Sequence, residues 1–245
     1  MQGRGDVAAH FDQLAPHYHE AHGRAEHLLA SRLDVVRRLM AGAGRGTLLE
    51  IGCGTGIHAL ALAREFRQVI GTDLSSAMVA VAQESAERSA WRDRVSFRVD
   101  PAEELASIED GSVDVALCVG ALEHILDRPA AVRQVRRVLR DDGVFVCLTP
   151  NGSYCWYRLA PLLGRDTRHL STDQFLRPEQ LRALLESAGL GIVTLEHWRF
   201  VPRGDLPRGF APLLRAADAV GTALRIGGLR GGIAFAASPA APSAT

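Results

Sequence analysis

The sequence lacks the features that mark several classes of protein. Its 28 lysines and arginines balance 28 aspartates and glutamates, so no net charge recruits a nucleic acid or an anionic membrane. No apolar run approaches the roughly 18 residues of a membrane helix, and the N-terminal residues lack the apolar region of a signal peptide. These absences favour a cytoplasmic protein that acts on a small molecule, with neither a nucleic acid nor a membrane as its partner.

Cysteine is also scarce. The four cysteines, Cys53, Cys118, Cys147 and Cys155, are spaced neither as a metal site nor as a redox pair. We expect them to be reduced residues of the core or of a pocket. At 245 residues the chain is long enough for one large α/β domain.

What the sequence does contain is a glycine at every second position of one short loop. Gly52, Gly54 and Gly56 follow residues 47–51, which predict an apolar strand, and a helical pattern comes next at residues 58–65. Glycine permits a positive φ and a close approach of ligand to backbone, and the following helix N-terminus directs free N–H groups at that ligand. The stretch therefore predicts a bound ligand, unless its glycines serve only tight packing.

The residues around these glycines distinguish two classes of ligand. A dinucleotide fold has the spacing G-x-G-x-x-G and places a diphosphate at the helix N-terminus. Here the spacing is G-x-G-x-G, and Glu50 would repel a diphosphate but suit a cofactor with a positively charged amino-acid end. The pattern E-x-G-x-G-x-G resembles that of the class I S-adenosylmethionine-dependent methyltransferases. The resemblance implies S-adenosyl-L-methionine as the cofactor.

Strand and helix patterns alternate after the glycine loop, which favours a doubly wound parallel sheet. The resemblance implies a Rossmann-like α/β fold of seven strands, the last antiparallel, with helical lid insertions. We expect an N-terminal helical cap at residues 1–46 and a methyltransferase core at 47–198, with a lid insertion at 150–178. A second cover element and the final strand should follow at 199–237, and a disordered tail at 238–245.

An aspartate ends the second predicted strand. At the carboxyl edge of a parallel sheet, the carboxylate of Asp73 can accept both ribose hydroxyls of a nucleoside, and a solvated helix cap is the alternative. The resemblance also implies that Asp100 accepts the amino group of adenine. Pro101 has no backbone N–H, so the backbone donor that could reach the adenine ring would be that of Ala102.

The resemblance implies a wider set of cofactor contacts. Phe11 to Tyr18 resembles the F-D-x-x-A-x-x-Y segment whose helix closes over the cofactor in many small-molecule methyltransferases, although the same spacing fits a packing stripe. Leu74 and Met78 would lie against the adenine. The predicted cofactor-binding residues are Tyr18, Glu50, Gly52, Cys53, Gly54, Gly56, Asp73, Leu74, Met78, Asp100, Ala102 and Val119.

Two histidines are candidates for a general base, His169 as the first candidate and His124 as the second. The fourth predicted strand, residues 112–119, ends beside the reactive centre if strands one and four are neighbours, which brings His124 there. In the ubiquinone-biosynthesis type of O-methyltransferase, which this half of the chain resembles, the equivalent segment reads E-x-x-E-H and binds a divalent cation. Here Gly120 replaces the first acid, and we predict no metal site. His169 lies in a segment that resembles the same family's H-x(n)-F pattern, and either histidine could instead be an ordinary polar contact.

Trp156 and Tyr157 lie in a connection longer than usual, above the expected ligand edge, and we expect them to contact the substrate. The sequence therefore predicts S-adenosylmethionine-dependent methyl transfer to a small-molecule acceptor. A hydroxyl of an aromatic, polyketide-like or other secondary metabolite is the favoured acceptor. An N- or C-methyltransferase and a non-catalytic S-adenosylmethionine-binding module are the alternatives.

Overall fold

A computed structural model describes residues 3–18, 25–164, 168, 170–198 and 211–240. Within these ranges seven strands form one sheet. They are β1 (Thr47–Ile51), β2 (Gln68–Asp73), β3 (Val95–Val99), β4 (Val113–Val119), β5 (Leu139–Pro150), β6 (Leu190–Trp198) and β7 (Gly232–Pro239). Their order is β3-β2-β1-β4-β5-β7-β6, and only β7 runs antiparallel to its neighbours. The predicted Rossmann-like sheet with an antiparallel last strand is confirmed.

Helices cover both faces of this sheet. They are α1 (Arg4–Leu14), α2 (Ala25–Leu39), α3 (Ile57–Leu62), α4 (Ser76–Glu87), α5 (Arg128–Val138), α6 (Cys155–Leu159), α7 (Pro178–Ser187) and α8 (Ala211–Ala223). Leu48 of β1 packs in a buried cluster with α2 and α3, whereas Leu49 packs in a second cluster with α5 and α7. Because both faces are buried, residues 48–51 of β1 are apolar instead of alternating with polar ones, apart from the buried Glu50.

The strand order reverses at β1. This strand pairs with β2 on one side and with β4 on the other, both in parallel. The crevice outside the carboxyl ends of such strands is where open α/β sheets bind ligands. The glycine loop after β1, Asp73 at the end of β2 and the short 3-10 turn Leu122–His124 after β4 all lie at this edge.

The disordered tail predicted from residue 238 begins too early. Ser238 and Pro239 belong to β7, where they pair with Gly191 and Leu190 of β6. The prediction relied on the Ser-, Pro- and Ala-rich composition of this segment. The end of a strand can be held by backbone hydrogen bonds to its neighbour, which depend little on side-chain type. Residues 241–245 lie outside the described residues.

The predicted lid insertion occupies the connection between β5 and α7. It contains α6 and the 3-10 turn Pro161–Leu163. Its last part, residues 170–176, lies against the turn that carries His124, with the Gln174 N–H 3.2 Å from the carbonyl oxygen of Glu123. None of the helices in the described part of the chain is both long and apolar enough to span a bilayer.

Candidate active site

A cavity of about 210 Å³ opens at the carboxyl ends of β1, β2 and β4. The N-terminal segment covers it from above, with Val7, Phe11 and Leu14 of α1 among the lining residues. Most of the predicted site residues lie together on its wall: Tyr18, Gly52, Cys53, Gly54, Asp73, Leu74, Met78, Asp100, Ala102, Val119 and His124. The wall combines apolar side chains with a few convergent polar groups, as ligand-binding pockets do.

Each of the three loop positions requires glycine for a different structural reason. Gly54 (φ +51°) lies on the cavity wall, and a Cβ there would be 3.9 Å from the ring of Tyr18. A Cβ on Gly52 (φ +65°) would lie 2.3 Å from that of Ala121, so this backbone must approach the start of the next turn. Gly56 does not line the cavity. A Cβ on Gly56 would lie 2.5 Å from Cζ of Phe97, so this position must be glycine to leave room for that ring.

Asp73 joins the glycine loop to the end of β2. One carboxylate oxygen accepts the N–H of Gly54 at 2.8 Å, and the other accepts the N–H of Ser75 at 2.9 Å. Burial raises the pKa of Asp73, and the two N–H donors oppose that shift by stabilising the charged form. The side chain that caps α4 is Ser75, which accepts the N–H of Met78, so Asp73 is not the helix cap of the alternative interpretation.

Asp12 fastens α1 over the cavity, a role that the sequence analysis missed. Its carboxylate accepts the hydroxyl of Ser75 at 2.5 Å and the N–H of Ala77 at 3.0 Å, both at the start of α4. A carboxylate is favourable at a helix N-terminus, where free N–H groups carry partial positive charge. The Phe-Asp pair of the N-terminal segment was the available signal. Tyr18, which ends this segment, is half-buried, and desolvation raises the pKa of its hydroxyl.

Glu50 lies one layer behind the cavity wall. Its carboxylate is 3.0 Å from Nδ1 of His58 and accepts the N–H of Ala59 at 2.8 Å, which fixes the first turn of α3. Glu50 is not among the lining residues, whereas His58 is. The direct contact of Glu50 with the cofactor stays a prediction, and in this structure its carboxylate contacts the helix that follows the glycine loop.

Asp100 shapes the turn after β3. Its carboxylate accepts the N–H of Ala106 at 3.1 Å, and the N–H and hydroxyl of Ser107 at 2.9 and 2.7 Å. Oδ2 accepts both hydrogen bonds from Ser107, whereas Oδ1 accepts only the one from Ala106. A carboxylate oxygen has two acceptor positions, so Asp100 retains capacity for a donor in the cavity.

Arg32 is a further cavity residue that the sequence analysis did not identify. This residue of α2 is half-buried, and desolvation lowers the pKa of its guanidinium against the opposing charges of Tyr18, Glu123 and Glu50. Its buried Nε has no hydrogen-bond partner in the described part of the chain. A buried cation in this state favours an anionic group nearby. The signal was an arginine on the apolar stripe of the helix, three residues after Leu29 and four before Val36.

His124 is paired with an acid from the insertion. Its Nδ1 lies 2.7 Å from Oδ1 of Asp173, 49 residues later, and its ring makes an edge contact with Phe11 at 5.2 Å between centroids. Burial lowers the pKa of His124, but the hydrogen bond to Asp173 and the charges of Glu123 and Asp173 outweigh it, so the pKa is raised. His124 is therefore a cavity imidazole whose Nδ1 contacts a buried acid.

Glu123, the acid next to His124, also lines the cavity, and its Oε2 accepts the hydroxyl of Thr149 at 3.1 Å. No group of three His, Cys, Asp or Glu side chains converges as a metal site within the residues that the structure describes.

The other predicted residues lie away from this cavity or outside the description. Trp156 is 2% exposed and packs with Tyr154 and Ala160, and Tyr157 lies against the ring of Phe175 at 4.4 Å. Neither lines the cavity. Aromatic side chains of a long connection bury one another, and here they hold the insertion together. His169 lies outside the described residues.

Comparison with known proteins places this site in a family. A family model for a methyltransferase domain matches residues 49–147. The ubiquinone biosynthesis O-methyltransferase of Xanthomonas oryzae pv. oryzae is 32% identical over 205 residues, which cover 77% of this chain and 84% of that protein.

Two solved structures show the same fold at lower identity. The geranyl diphosphate C-methyltransferase of Streptomyces coelicolor has a TM-score of 0.64 at 16% identity, covering 87% of this chain and 80% of that one. A possible histamine N-methyltransferase of Thermotoga maritima has a TM-score of 0.68 at 19% identity, covering 95% and 99%. From its relatives and its fold together, the chain belongs to the class I S-adenosylmethionine-dependent methyltransferases of small molecules, similar to the ubiquinone-biosynthesis O-methyltransferases, and its cofactor is S-adenosylmethionine.

Proposed function

We propose that this enzyme methylates a hydroxyl group of a small, partly aromatic molecule, with His124 as the general base. The observation that carries the proposal is the imidazole of His124 on the wall of the cavity. It is paired with the buried carboxylate of Asp173 and makes an edge contact with the ring of Phe11. A hydroxyl must lose its proton on methylation, and a positioned imidazole takes such a proton near neutral pH. The relative from Xanthomonas oryzae is likewise called an O-methyltransferase.

The residues of the cavity fit S-adenosylmethionine part by part. Asp73 would accept the ribose hydroxyls, Asp100 the amino group of adenine, and Leu74 and Met78 would contact the adenine ring. The glycine loop leaves the space along which the methionine part would lie, and Tyr18 would cover it. When bound, the cofactor supplies a sulfonium methyl group that an oxygen can attack.

The chain itself then contributes position, exclusion of water and a proton acceptor. The α1 segment, held by Asp12 on α4, closes the cavity over the cofactor site. Val119 and His124 lie at the end of β4, so an acceptor hydroxyl beside Nε2 of His124 would be next to the reactive methyl. Alignment and exclusion of water lower the barrier, and proton removal accompanies attack.

Matched acceptors test the choice of atom. Catechol, phenol and aniline are each incubated with the enzyme and S-adenosylmethionine, and products are identified by mass spectrometry and by NMR of the new methyl group. We expect O-methyl catechol or O-methyl phenol and no N-methyl aniline. Methylation of aniline, or of a ring carbon, without an O-methyl product would overturn the proposal in favour of an N- or C-methyltransferase.

We further propose that Arg32 binds the carboxylate of the cofactor's methionine part. Arg32→Met should weaken S-adenosylhomocysteine about 10-fold or more in calorimetric titration, because a charge-assisted hydrogen bond contributes about 1.5–3 kcal/mol. Methylthioadenosine, which lacks the amino-acid tail, is the matched ligand, and its affinity should not change.

The two ligands separate this role from a packing role. Equal weakening of both would show that Arg32 supports the fold of the cavity rather than a carboxylate. Unchanged binding of both would overturn the proposed contact of Arg32 with the cofactor carboxylate.

A further inference from the structure

The imidazole of His124 is held by an acid that a different part of the chain supplies. Asp173 lies in the insertion between β5 and α7, and its side chain is completely buried. Its Oδ1 is 2.7 Å from Nδ1 of His124. A buried carboxylate at this distance makes a charge-assisted hydrogen bond, which is shorter and stronger than a neutral one.

Asp173 is itself fixed before any ligand binds. Its second oxygen accepts the N–H of Leu170 at 2.9 Å, which closes the turn that contains it. The next residue, Gln174, donates its N–H to the carbonyl of Glu123 and accepts from the guanidinium of Arg128 at 3.1 Å. The turn is therefore docked on the same 3-10 turn that carries His124.

Arg128 of α5 binds the backbone of the 3-10 turn that carries His124. The buried guanidinium donates to the carbonyl oxygens of Leu122 and Glu123, at 3.1 and 2.8 Å. The backbone around His124 is thus fixed from α5, and its ring is fixed from the insertion. An acid that only joined the insertion to the core would duplicate what Arg128 and Gln174 already do.

We propose that Asp173 is the positioning residue that makes His124 a general base, an inference that rests on the proposed hydroxyl acceptor. With Nδ1–H donated to Asp173, a neutral imidazole must carry its lone pair on Nε2, so the pairing selects the tautomer. The ring then stands ready to accept a proton at one defined atom. The insertion thereby holds the ring of the base through Asp173.

The groups that surround the imidazole set the direction of its titration. Glu123 on its own turn and Asp173 from the insertion are acidic, Arg128 from α5 is basic, and α1 contributes the apolar ring of Phe11. A base acts only when it is deprotonated, so turnover should fall as the pH drops through the pKa of His124. Asp173 raises that pKa, so its removal should move the acid limb of the profile to lower pH.

The first measurement needs no methyl acceptor. Protein labelled with ¹⁵N-histidine is saturated with S-adenosylhomocysteine, and the His124 signals are assigned by their loss in His124→Gln. In the wild type we expect neutral His124 to carry its proton on Nδ1. Asp173→Asn, which keeps the shape and one acceptor for Leu170, should mix the tautomers and lower the pH at which His124 titrates.

Turnover of catechol gives the second readout. Asp173→Asn should lower kcat at its high-pH plateau by about 10- to 100-fold, a part of what general base catalysis contributes, with little change in KM. Gln174→Ala is the matched control, because it removes a docking contact of the same turn and leaves the acid in place. It should shift neither the tautomer nor the acid limb.

The outcomes are distinguishable. A wild-type His124 whose neutral form is protonated on Nε2, or an Asp173→Asn variant with an unchanged acid limb and kcat, would overturn the role of Asp173. A wild-type protein with the expected tautomer that methylates aniline but not catechol would overturn the hydroxyl acceptor and leave the pairing of Asp173 with His124 in place.

Discussion

Asp73→Ala is expected to raise the dissociation constant of S-adenosylhomocysteine by about 100-fold or more. If the carboxylate accepts both ribose hydroxyls, its removal costs two hydrogen bonds to a charged group, each about 1.5–3 kcal/mol. The same substitution frees the N–H of Gly54 and so loosens the glycine loop, which adds to the loss. Calorimetric titration of the wild type and the variant measures the effect.

Ser75→Ala is the matched control for this experiment. Ser75 caps α4 and donates to Asp12, so its removal disturbs the same corner of the fold without touching the carboxylate of Asp73. We expect Ser75→Ala to lower the melting temperature with only a small change in affinity. An Asp73→Ala variant that is folded and binds as tightly as the wild type would show that the carboxylate serves only the loop.

His124→Gln is expected to lower kcat for catechol methylation by about 100- to 1,000-fold, since positioned general bases contribute factors of this size. Glutamine keeps a polar side chain of similar length but cannot take a proton. S-adenosylhomocysteine should bind the variant as it binds the wild type, which places the loss in turnover. The acid limb that the wild type shows through the raised pKa of His124 should disappear from the residual activity.

A second histidine of the same cavity supplies the control. His10 lines the cavity and contacts the ring of Phe11, but its side chain approaches from α1. His10→Gln should leave the pH profile unchanged. If His124→Gln retains full activity, the base lies elsewhere, and His169 becomes the first residue to replace.

The part of the site that follows β1 and β2 was predictable from short stretches of sequence. Gly52 and Gly54 have positive φ, and the strand before them and the helix after them are local patterns. Asp73 was placed by its position at the end of a strand. The contacts of Glu50 with His58 and Ala59 were not predicted, because no sequence pattern shows whether a buried carboxylate also bonds to the next helix.

The packing of the insertion between β5 and α7 was not predicted. Trp156 was expected in contact with a ligand because it lies in a long, aromatic connection, but its side chain forms the small core of that connection. An aromatic residue buries a large apolar surface wherever packing allows, and sequence alone does not say against what.

The sequence by itself determined the order of strands and helices, the glycine loop and the two aspartates at the sheet edge, because each depends on residues close together in the chain. Only the tertiary structure decided the pairings of Asp12 with Ser75, 63 residues apart, and of His124 with Asp173, 49 residues apart. It also decided that Arg32 faces the cavity rather than solvent. Such contacts form where separate elements pack, so no local spacing or periodicity encodes them.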